Sequence, residues 1–369
     1  MKVNPHQLNE KPPLVGARAY NQLLQKNMKT DNGVVIIRAS DVNPKSTKWI
    51  MRDWLAENEF HIFGGAGGTG KTTVTLSIAA IISSGGELPD GTQCPMAGNV
   101  LIWSGEDSIE RTLVPRLMAM GANLDKCFFI TGFSQDGKKR AFNPSSDFEN
   151  IDKKIREIGE VCLLIVDPIV TSIKGNMNDS NVVRMGLQPF LDFTEKHNCS
   201  IIGITHFGKG TQGRDVTERI IGSQAFTAVA RIVWATAMDA DGNRVLIHPK
   251  NNLGTVNGGF IFQCEQAILE DEIEASKIIW GEAVQGGAKE ILETYETPSD
   301  SQKTSKAIDA ENFLINILNN GSLATGRVYE LAAIEGISAA TMRRASKSLG
   351  IKTTKAGMDE GWYWSLSND

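Results

Sequence analysis

Residues 65–72 read G-A-G-G-T-G-K-T, which fits the phosphate-loop pattern G-x-x-x-x-G-K-[ST]. An apolar stretch at 60–63 comes before the loop, and a helix-like run at 73–81 follows it. Strand, glycine-rich loop and helix stand in the order that phosphate binding requires. The glycines let backbone N–H groups point at a phosphate, and the helix start adds the positive end of its dipole. The stretch predicts a nucleotide site; the simpler alternative is a glycine-rich turn that happens to end in Lys-Thr.

The two side chains after the last glycine of this loop have separate predicted tasks. Lys71 would reach the β- and γ-phosphates, and the Thr72 hydroxyl would hold Mg²⁺. The residues predicted to bind the nucleotide are Gly65, Gly67, Gly68, Thr69, Gly70, Lys71, Thr72 and Thr73.

Composition sets the class of protein. The chain has 369 residues, 41% hydrophobic and 22% charged, as in a globular protein of two domains or of one large domain with an appendage. Its net charge of −5 means that any contact with nucleic acid would come from local basic patches. No apolar run approaches the ~20 residues that cross a bilayer, and residues 1–5 contain no apolar signal core. Five dispersed cysteines without metal spacing indicate reduced thiols, so we expect a cytoplasmic protein without membrane contact.

The apolar pattern divides the chain into four parts. Residues 1–32 are polar and weakly periodic, which predicts a flexible arm. In 33–285, apolar strands alternate with helical stretches, which predicts an α/β domain with a mainly parallel sheet covered by helices. Residues 286–306 have the composition of a linker, and 307–369 form a compact segment. The strands are predicted at 33–38, 60–63, 99–103, 127–131, 161–167, 199–205, 231–236 and 244–248, and further helices at 152–160 and 181–197.

An apolar strand at 162–167 ends in a carboxylate, Asp167. Such a strand would deliver the carboxylate to the Mg²⁺ shell beside Thr72. An acid at a strand end is often only a turn former, but after a phosphate loop it predicts the second nucleotide motif.

A second strand, 99–103, runs into the acids Glu106 and Asp107. Glu106 is the better candidate for polarising the attacking water, because Asp167 is followed by Pro168 and not by a second acid. The alternative makes these acids caps of a helix that runs through residue 117, a role that suits Asp107.

A third strand ends in His206, which could hydrogen-bond the γ-phosphate and sense its loss, although a lone histidine there is more often an ordinary surface residue. The glycine-rich stretch 207–220 carries Lys209 and Arg214 and is predicted to be a mobile functional loop. Arg231 and Lys250 are candidates for a cation that acts in trans on the transition state. The residues alone do not choose between these two cations, and each could be a solvated strand-end charge.

The order of these elements resembles the RecA-like ATPase core. Within that group the chain is similar to the hexameric helicases, especially RepA-type plasmid replicative helicases, over about residues 34–285. The resemblance rests on G-G-A-G-G-T-G-K-T-T at 64–73, W-S-G-E-D at 103–107, L-L-I-V-D-P at 163–168 and G-I-T-H at 203–206. The chain departs from DnaB-type helicases at Asn252, where they carry an arginine, and from RepA in having a C-terminal segment.

The resemblance implies ATP and Mg²⁺ as cofactors, and a homo-oligomeric ring of hexamer size with ATP between subunits. The loops at 175–181 and 207–219 would be the DNA-gripping channel loops. The implied site residues are Lys71 and Thr72 for phosphate and Mg²⁺, Glu106 for water activation, Asp167 for Mg²⁺ and His206 for sensing the γ-phosphate. They also include Arg231 as arginine finger, Lys250 as a trans-acting lysine and Arg116 near the base.

The last segment has the pattern of helix, turn and helix. Apolar side chains recur on one face at 310–318 and 327–335, and after Gly336 a third helix at 339–349 has Ser338 as its expected N-cap. Strands at 351–355 and 362–366 would complete a hairpin, so the segment resembles a winged-helix domain. Its cations are predicted to contact DNA; the alternatives are a solvated face or a protein-docking module. The predicted DNA-binding residues are Lys209, Arg214, Arg343, Arg344, Lys347, Lys352 and Lys355.

These features together favour an ATP-driven, ring-forming DNA motor of the replicative-helicase type acting on single-stranded or forked DNA. Two alternatives stay open at this point. One is a DNA-binding regulator or loader that ATP switches. The other is a recombination or repair ATPase, which would form filaments on DNA in place of closed rings.

Overall fold

The computed structural model describes residues 36–366, with gaps at 136, 209, 212–213, 221–223, 240–241, 297–299, 320, 338 and 356–361. Contacts divide the chain into two units, 1–48 and 49–369. In the first unit the described residues, 36–48, are all exposed and contain one 3-10 turn, Ala39–Asp41. The strand predicted at 33–38 is therefore wrong at 36–38, where the apolar run pairs with no described strand; 33–35 lie outside the described residues.

The second unit is built on a nine-stranded sheet of order β13-β12-β11-β10-β3-β9-β8-β4-β5. The six strands from β10 to β5 in this order are parallel to one another, and β11, β12 and β13 are antiparallel additions at one side. The strands of the sheet are β3 Phe60–Gly65, β4 Asn99–Ser104, β5 Cys127–Phe129, β8 Val161–Asp167, β9 Ser200–Ile204, β10 Ile232–Met238, β11 Arg244–Asn251, β12 Gly259–Ile268 and β13 Glu274–Val284. Two small hairpins lie outside it, β1 Trp49–Met51 with β2 Leu55–Ala56, and β6 Phe133–Gln135 with β7 Lys138–Arg140.

The helices of this unit connect the strands. Those before residue 230 are α1 Lys71–Ser84, α2 Val114–Ala119, α3 Pro144–Asp147, α4 Ile151–Ile158, α5 Ser180–His197 and α6 Gln224–Val229. A π-helical turn, Ile109–Leu113, leads into α2. Among the described residues, no helix is both long and apolar enough to cross a bilayer.

Two apolar cores lie on opposite faces of the sheet, because successive side chains of a strand point to opposite faces. Leu164 and Val166 of β8 belong to the core under α5, while Leu163 and Ile165 belong to the core under α1. Helix α1 is buried almost all round, as its apolar sequence predicts. This two-sided burial explains why the predicted strands read as continuous apolar runs.

The predicted core strands are present, and β8 has the predicted bounds 161–167. The long hairpin of β12 and β13 was not predicted. Its strands extend beyond β11, whose pairing with β12 ends at Phe262. Beyond that point the hairpin is rich in Gln, Glu, Ser and Lys, so that no apolar run marks it.

The segment predicted as a linker, 286–306, begins with a packed helix. Helix α7 spans Ala288–Glu296, and its Ile291 and Leu292 are buried in the core of the sheet. Its polar composition reflects a single buried face, so at least this part is no extended linker. The predicted domain boundaries at 33, 285 and 307 stay a prediction.

The C-terminal elements are α8 Asp300–Leu318, β14 Leu323–Ala324, α9 Thr325–Ile334, α10 Ala339–Ser348, β15 Lys352–Lys355 and β16 Trp362–Ser365. The three strands form a sheet of order β14-β16-β15, and a separate core includes Leu314, Val328, Met342 and Trp364. The predicted helices and hairpin are present; Ser338 lies outside the described residues. The winged-helix assignment of this segment stays a prediction.

Candidate functional site

The phosphate loop joins β3 to α1 at the carboxyl edge of the parallel strands. Gly70 precedes α1 in a left-handed conformation, φ 93°, and a Cβ there would lie 3.1 Å from Cys264 Sγ. A Cβ at Gly65 would lie 2.6 Å from Thr236 Oγ1. Thr69 closes the loop, since its Oγ1 donates to Ala66 O at 2.9 Å. The glycines are therefore required by close approach and backbone geometry, and the loop presents the N-terminus of a buried helix.

Lys71 is buried and folded against the loop. Its Nζ donates to Gly65 O at 3.0 Å and to Ala66 O at 2.7 Å. Burial lowers the pKa of Lys71 to about 8, while the charges of Asp167 and Glu106 act in the opposite direction. The ammonium is thus held in a poorly solvated place where an anionic ligand would stabilise its charge.

Thr72 and Asp167 are in direct contact. Thr72 Oγ1 donates to Asp167 Oδ2 at 2.7 Å, across the start of α1 and the end of β8. Burial raises the pKa of Asp167 to about 6; the Thr72 hydrogen bond lowers it, and Glu106 and Asp107 raise it. A hydroxyl and a carboxylate at this distance are the hard oxygen donors that Mg²⁺ prefers with one or two carboxylates, so the residues present fit that ion.

Glu106 follows β4 beside the end of β8. Ser104 pairs with Asp167 in the parallel register, and the Gly105 N–H donates to Asp167 O at 2.8 Å. Glu106 is exposed at the rim of the site. This neighbouring-strand position was predicted from the sequence; the catalytic role of Glu106 stays a prediction.

The alternative reading of Glu106 and Asp107 as helix caps is wrong. Ser108 is the N-cap of the π-helical turn, and its side chain accepts from the Arg111 N–H. Asp107 Oδ2 instead lies 3.5 Å from Arg116 Nη1. This ion pair keeps Arg116 against the site.

His206 lies two residues beyond β9, on the same side. Burial lowers the pKa of His206; the charge of Lys71 lowers it further, and that of Glu106 raises it. The imidazole is therefore biased toward its neutral form, which can donate or accept a hydrogen bond with a phosphate oxygen.

One cavity of about 470 Å³ collects these groups. Sequence reasoning missed one wall of it, formed by Arg244, Cys264, Gln266 and Ser276 from β11 and the β12–β13 hairpin. The only sequence signal for that wall is the alternation of Phe262, Cys264 and Gln266 along β12. The lining residues are Gly68, Gly70, Lys71, Thr72, Thr73, Glu106, Asp107, Arg116, Asp167, Ile204, His206, Arg244, Cys264, Gln266 and Ser276.

Arg231 and Lys250 are not part of this cavity. The Arg231 N–H donates to Phe60 O at the start of β3, and Lys250 pairs with Val233 near the start of β10. Both therefore lie at the amino edge of the parallel strands, opposite the phosphate loop and roughly 17 Å of strand away from it. Arg231 Nε is 3.7 Å from Glu59 Oε2, with 54% of the Arg231 side chain exposed.

Lys250 is engaged by its own chain. Its Nζ donates to the carbonyls of Thr227 and Ala230, the latter at 2.8 Å, around the C-terminus of α6. A cation at this end of a helix satisfies free carbonyls and complements the helix dipole. Burial, and then the charge of Arg231, lower the pKa of Lys250.

The predicted DNA-binding residues are spread over the chain. Lys209 lies outside the described residues, and Arg214 is exposed in a segment closed by a bridge between Phe207 and Ile220. The loop predicted at 175–181 ends earlier, because α5 begins at Ser180 with Asp179 as its N-cap. Arg343, Arg344 and Lys347 are positions of α10, and Lys352 and Lys355 are positions of β15; Lys352 is exposed.

The fold and the cavity define a phosphate-loop ATPase core of the RecA-like type, which confirms the predicted fold class. The chain belongs to the AAA domain family, since the model of that family matches residues 25–212. The solved ATPase domain of another protein is similar, with a TM-score of 0.45 and 12% identity over 66% of this chain and 93% of that one; this likeness carries no argument about function. No curated protein matches the chain.

Proposed function

We propose that this chain hydrolyses ATP as a ring-forming DNA motor of the replicative-helicase type, with each nucleotide held between two subunits. The observation that carries the hydrolytic part is the single cavity that Lys71, Thr72, Asp167, Glu106 and His206 line together. Phosphate-binding, Mg²⁺-binding and water-polarising groups are the parts that phosphoryl transfer to water requires.

Each of these groups would have a separate task. The N–H groups at the start of α1 and the Lys71 ammonium bind the phosphates. Thr72 and Asp167 would hold Mg²⁺, which supplies charge neutralisation on the phosphate oxygens when bound. Glu106 accepts a hydrogen bond from water at the rim, and His206 contacts the γ-phosphate.

The position of Arg231 supports a site shared between subunits. It is half exposed at the edge opposite its own phosphate loop, so it does not reach that loop within the chain. A head-to-tail contact would bring this edge of one subunit against the phosphate edge of the next, and a closing rotation makes a ring. Lys250 is bonded to α6, which favours Arg231 as the cation that acts in trans.

Unwinding of a tailed duplex, with ATP and Mg²⁺, tests this function. We expect unwinding and an ATP turnover that single-stranded DNA stimulates. Glu106→Gln should lower turnover by about 10²–10⁴ while ATP still binds, because only water polarisation is lost. Glu110→Gln is the matched control, an exposed glutamate outside the cavity. Absence of unwinding, together with a turnover that ignores single-stranded DNA, would contradict the motor.

A DNA-binding regulator or loader that ATP switches is the second candidate. The observation that favours it is the pair α9 and α10 with the three-stranded sheet, an arrangement suited to placing a helix on duplex DNA. Footprinting separates the two: a discrete protected site supports the regulator, and sequence-blind single-strand binding supports the motor.

A further inference from the structure

The C-terminal segment contains a cavity that the ATPase site does not use. Its volume is about 610 Å³, and it is lined by Ala324, Thr325, Gly326, Thr353, Trp362 and Trp364. These residues come from β14, the start of α9 and the hairpin of β15 and β16. Helix α10, where most of the predicted DNA-binding cations lie, does not line it.

The two tryptophans of this cavity differ in burial. Trp364 is buried, 7% exposed, and packs edge-on against Tyr329 with ring centroids 5.5 Å apart. Trp362 points to the same face of the hairpin two residues earlier, yet its side chain is 55% exposed. A large indole left half in solvent beside a cavity is a surface for a planar partner.

The rest of the cavity is open and held in place. A Cβ at Gly326 would meet no atom within 4 Å, so space lies above the first turn of α9. Thr325 Oγ1 donates to Trp362 O at 2.9 Å, which ties the start of α9 to β16. The position of Trp362 relative to the cavity is therefore fixed by the backbone.

The charge around the cavity suits a polyanion. Residues 338–355 contain five cations and no acid, and Lys352 of β15 is exposed. The register places Lys355 opposite Trp362 and Thr353 opposite Trp364. The first turn of α9 has no acidic residue. An exposed aromatic ring next to basic positions is the combination by which proteins bind single-stranded nucleic acid.

We propose that this cavity takes an unpaired base of single-stranded DNA, which stacks on Trp362 while its backbone runs past the basic positions of β15. The C-terminal segment would then bind the unpaired strand through a contact that tolerates any base. The inference rests on DNA as the partner in the proposed function and adds the strand form and the site.

Binding of a short fluorescent oligo(dT) by the full chain, without nucleotide, tests the proposal. Trp362→Ala should weaken this binding by about tenfold, because one base loses its stacking surface, and Trp362→Phe should keep most of it. Gly326→Leu, which fills the cavity on a helix that tolerates leucine, should cause a similar loss. Binding of the same strand with abasic residues, and of a blunt duplex, should not change in any of these variants.

Ile334→Ala is the matched control, since Ile334 is a large apolar side chain of the same segment that is 77% exposed and outside the cavity. Unchanged oligo(dT) affinity in both Trp362→Ala and Gly326→Leu would assign the cavity to another class of partner and overturn the proposal. An equal loss on abasic and duplex DNA would overturn it too. If the unaltered chain binds no DNA, the proposed function fails as well, which distinguishes the two failures.

Discussion

At the scale of single residues, the site combines two buried charges whose solvation opposes ionisation. Lys71 and Asp167 lie in one cavity, and burial lowers the pKa of the lysine and raises that of the carboxyl. A phosphate beside Lys71 and a cation beside Asp167 would each reverse the effect of burial. The pH dependence of nucleotide binding therefore reports on these two side chains.

We predict that binding of ATP with Mg²⁺ to the free protein is strongest between about pH 6 and about pH 8. Below about 6 Asp167 takes up a proton and loses its hold on Mg²⁺; above about 8 Lys71 loses its charge. Titration of a fluorescent ATP analogue across this range measures both limbs. Asp167→Asn should remove the acid limb and leave the alkaline one, and an acid limb that persists in this variant would contradict the assignment.

The same shift has a consequence for stability. The pKa of Asp167 in the folded chain is about 6, against 3.8 for the ordinary carboxyl. As pH rises from about 4 to about 6, the folded protein keeps a proton that the unfolded chain has lost. The free energy of unfolding contributed by this group is therefore greatest at low pH and decreases across that window.

At the scale of elements, what the sequence predicts depends on how each strand is buried. Strand β8 is covered on both faces, so its seven residues form an unbroken apolar run that stops at Asp167, and both its bounds and its acid could be read directly. The same holds for the position of Glu106 after β4. The β12–β13 hairpin is half exposed and polar beyond Phe262, so neither the hairpin nor the cavity wall that it forms was predicted. The bonds from Lys250 to the end of α6 depend on a contact between distant segments that no local pattern encodes.

The hairpin wall yields a prediction for nucleotide affinity. Gln266 lines the cavity from β12, and Arg244 lines it from the start of β11, where its Nη1 donates to Gly242 O at 2.9 Å and its buried Nε has no partner. Gln266→Ala or Arg244→Ala should weaken ATP binding about tenfold, as expected for the loss of a hydrogen bond to a charged or polar ligand.

Calorimetric titration with ATP and Mg²⁺ measures this effect. Gln263→Ala is the matched control, because strand alternation puts this exposed glutamine on the face opposite to Gln266. If Gln263→Ala and Gln266→Ala change the affinity equally, the hairpin is no wall of the nucleotide site.

At the scale of the whole molecule, the sheet has two functional edges. The carboxyl edge holds the phosphate loop, Asp167 and Glu106, and the amino edge holds Arg231. One subunit cannot bring its two edges together, since the length of β3 and β10 separates them. A complete site of the proposed kind therefore requires a second copy of the chain.

Mixing two inactive variants tests this central claim most directly. Lys71→Ala removes the phosphate ligand, and Arg231→Ala removes the cation at the other edge; each alone should lower ATP turnover by about 10³ or more. In a one-to-one mixture about a quarter of random head-to-tail contacts would join an intact Lys71 to an intact Arg231. The account predicts that ATP turnover returns on mixing, in proportion to such contacts. Full turnover by Arg231→Ala alone, or no recovery in mixtures shown to co-assemble, would contradict it.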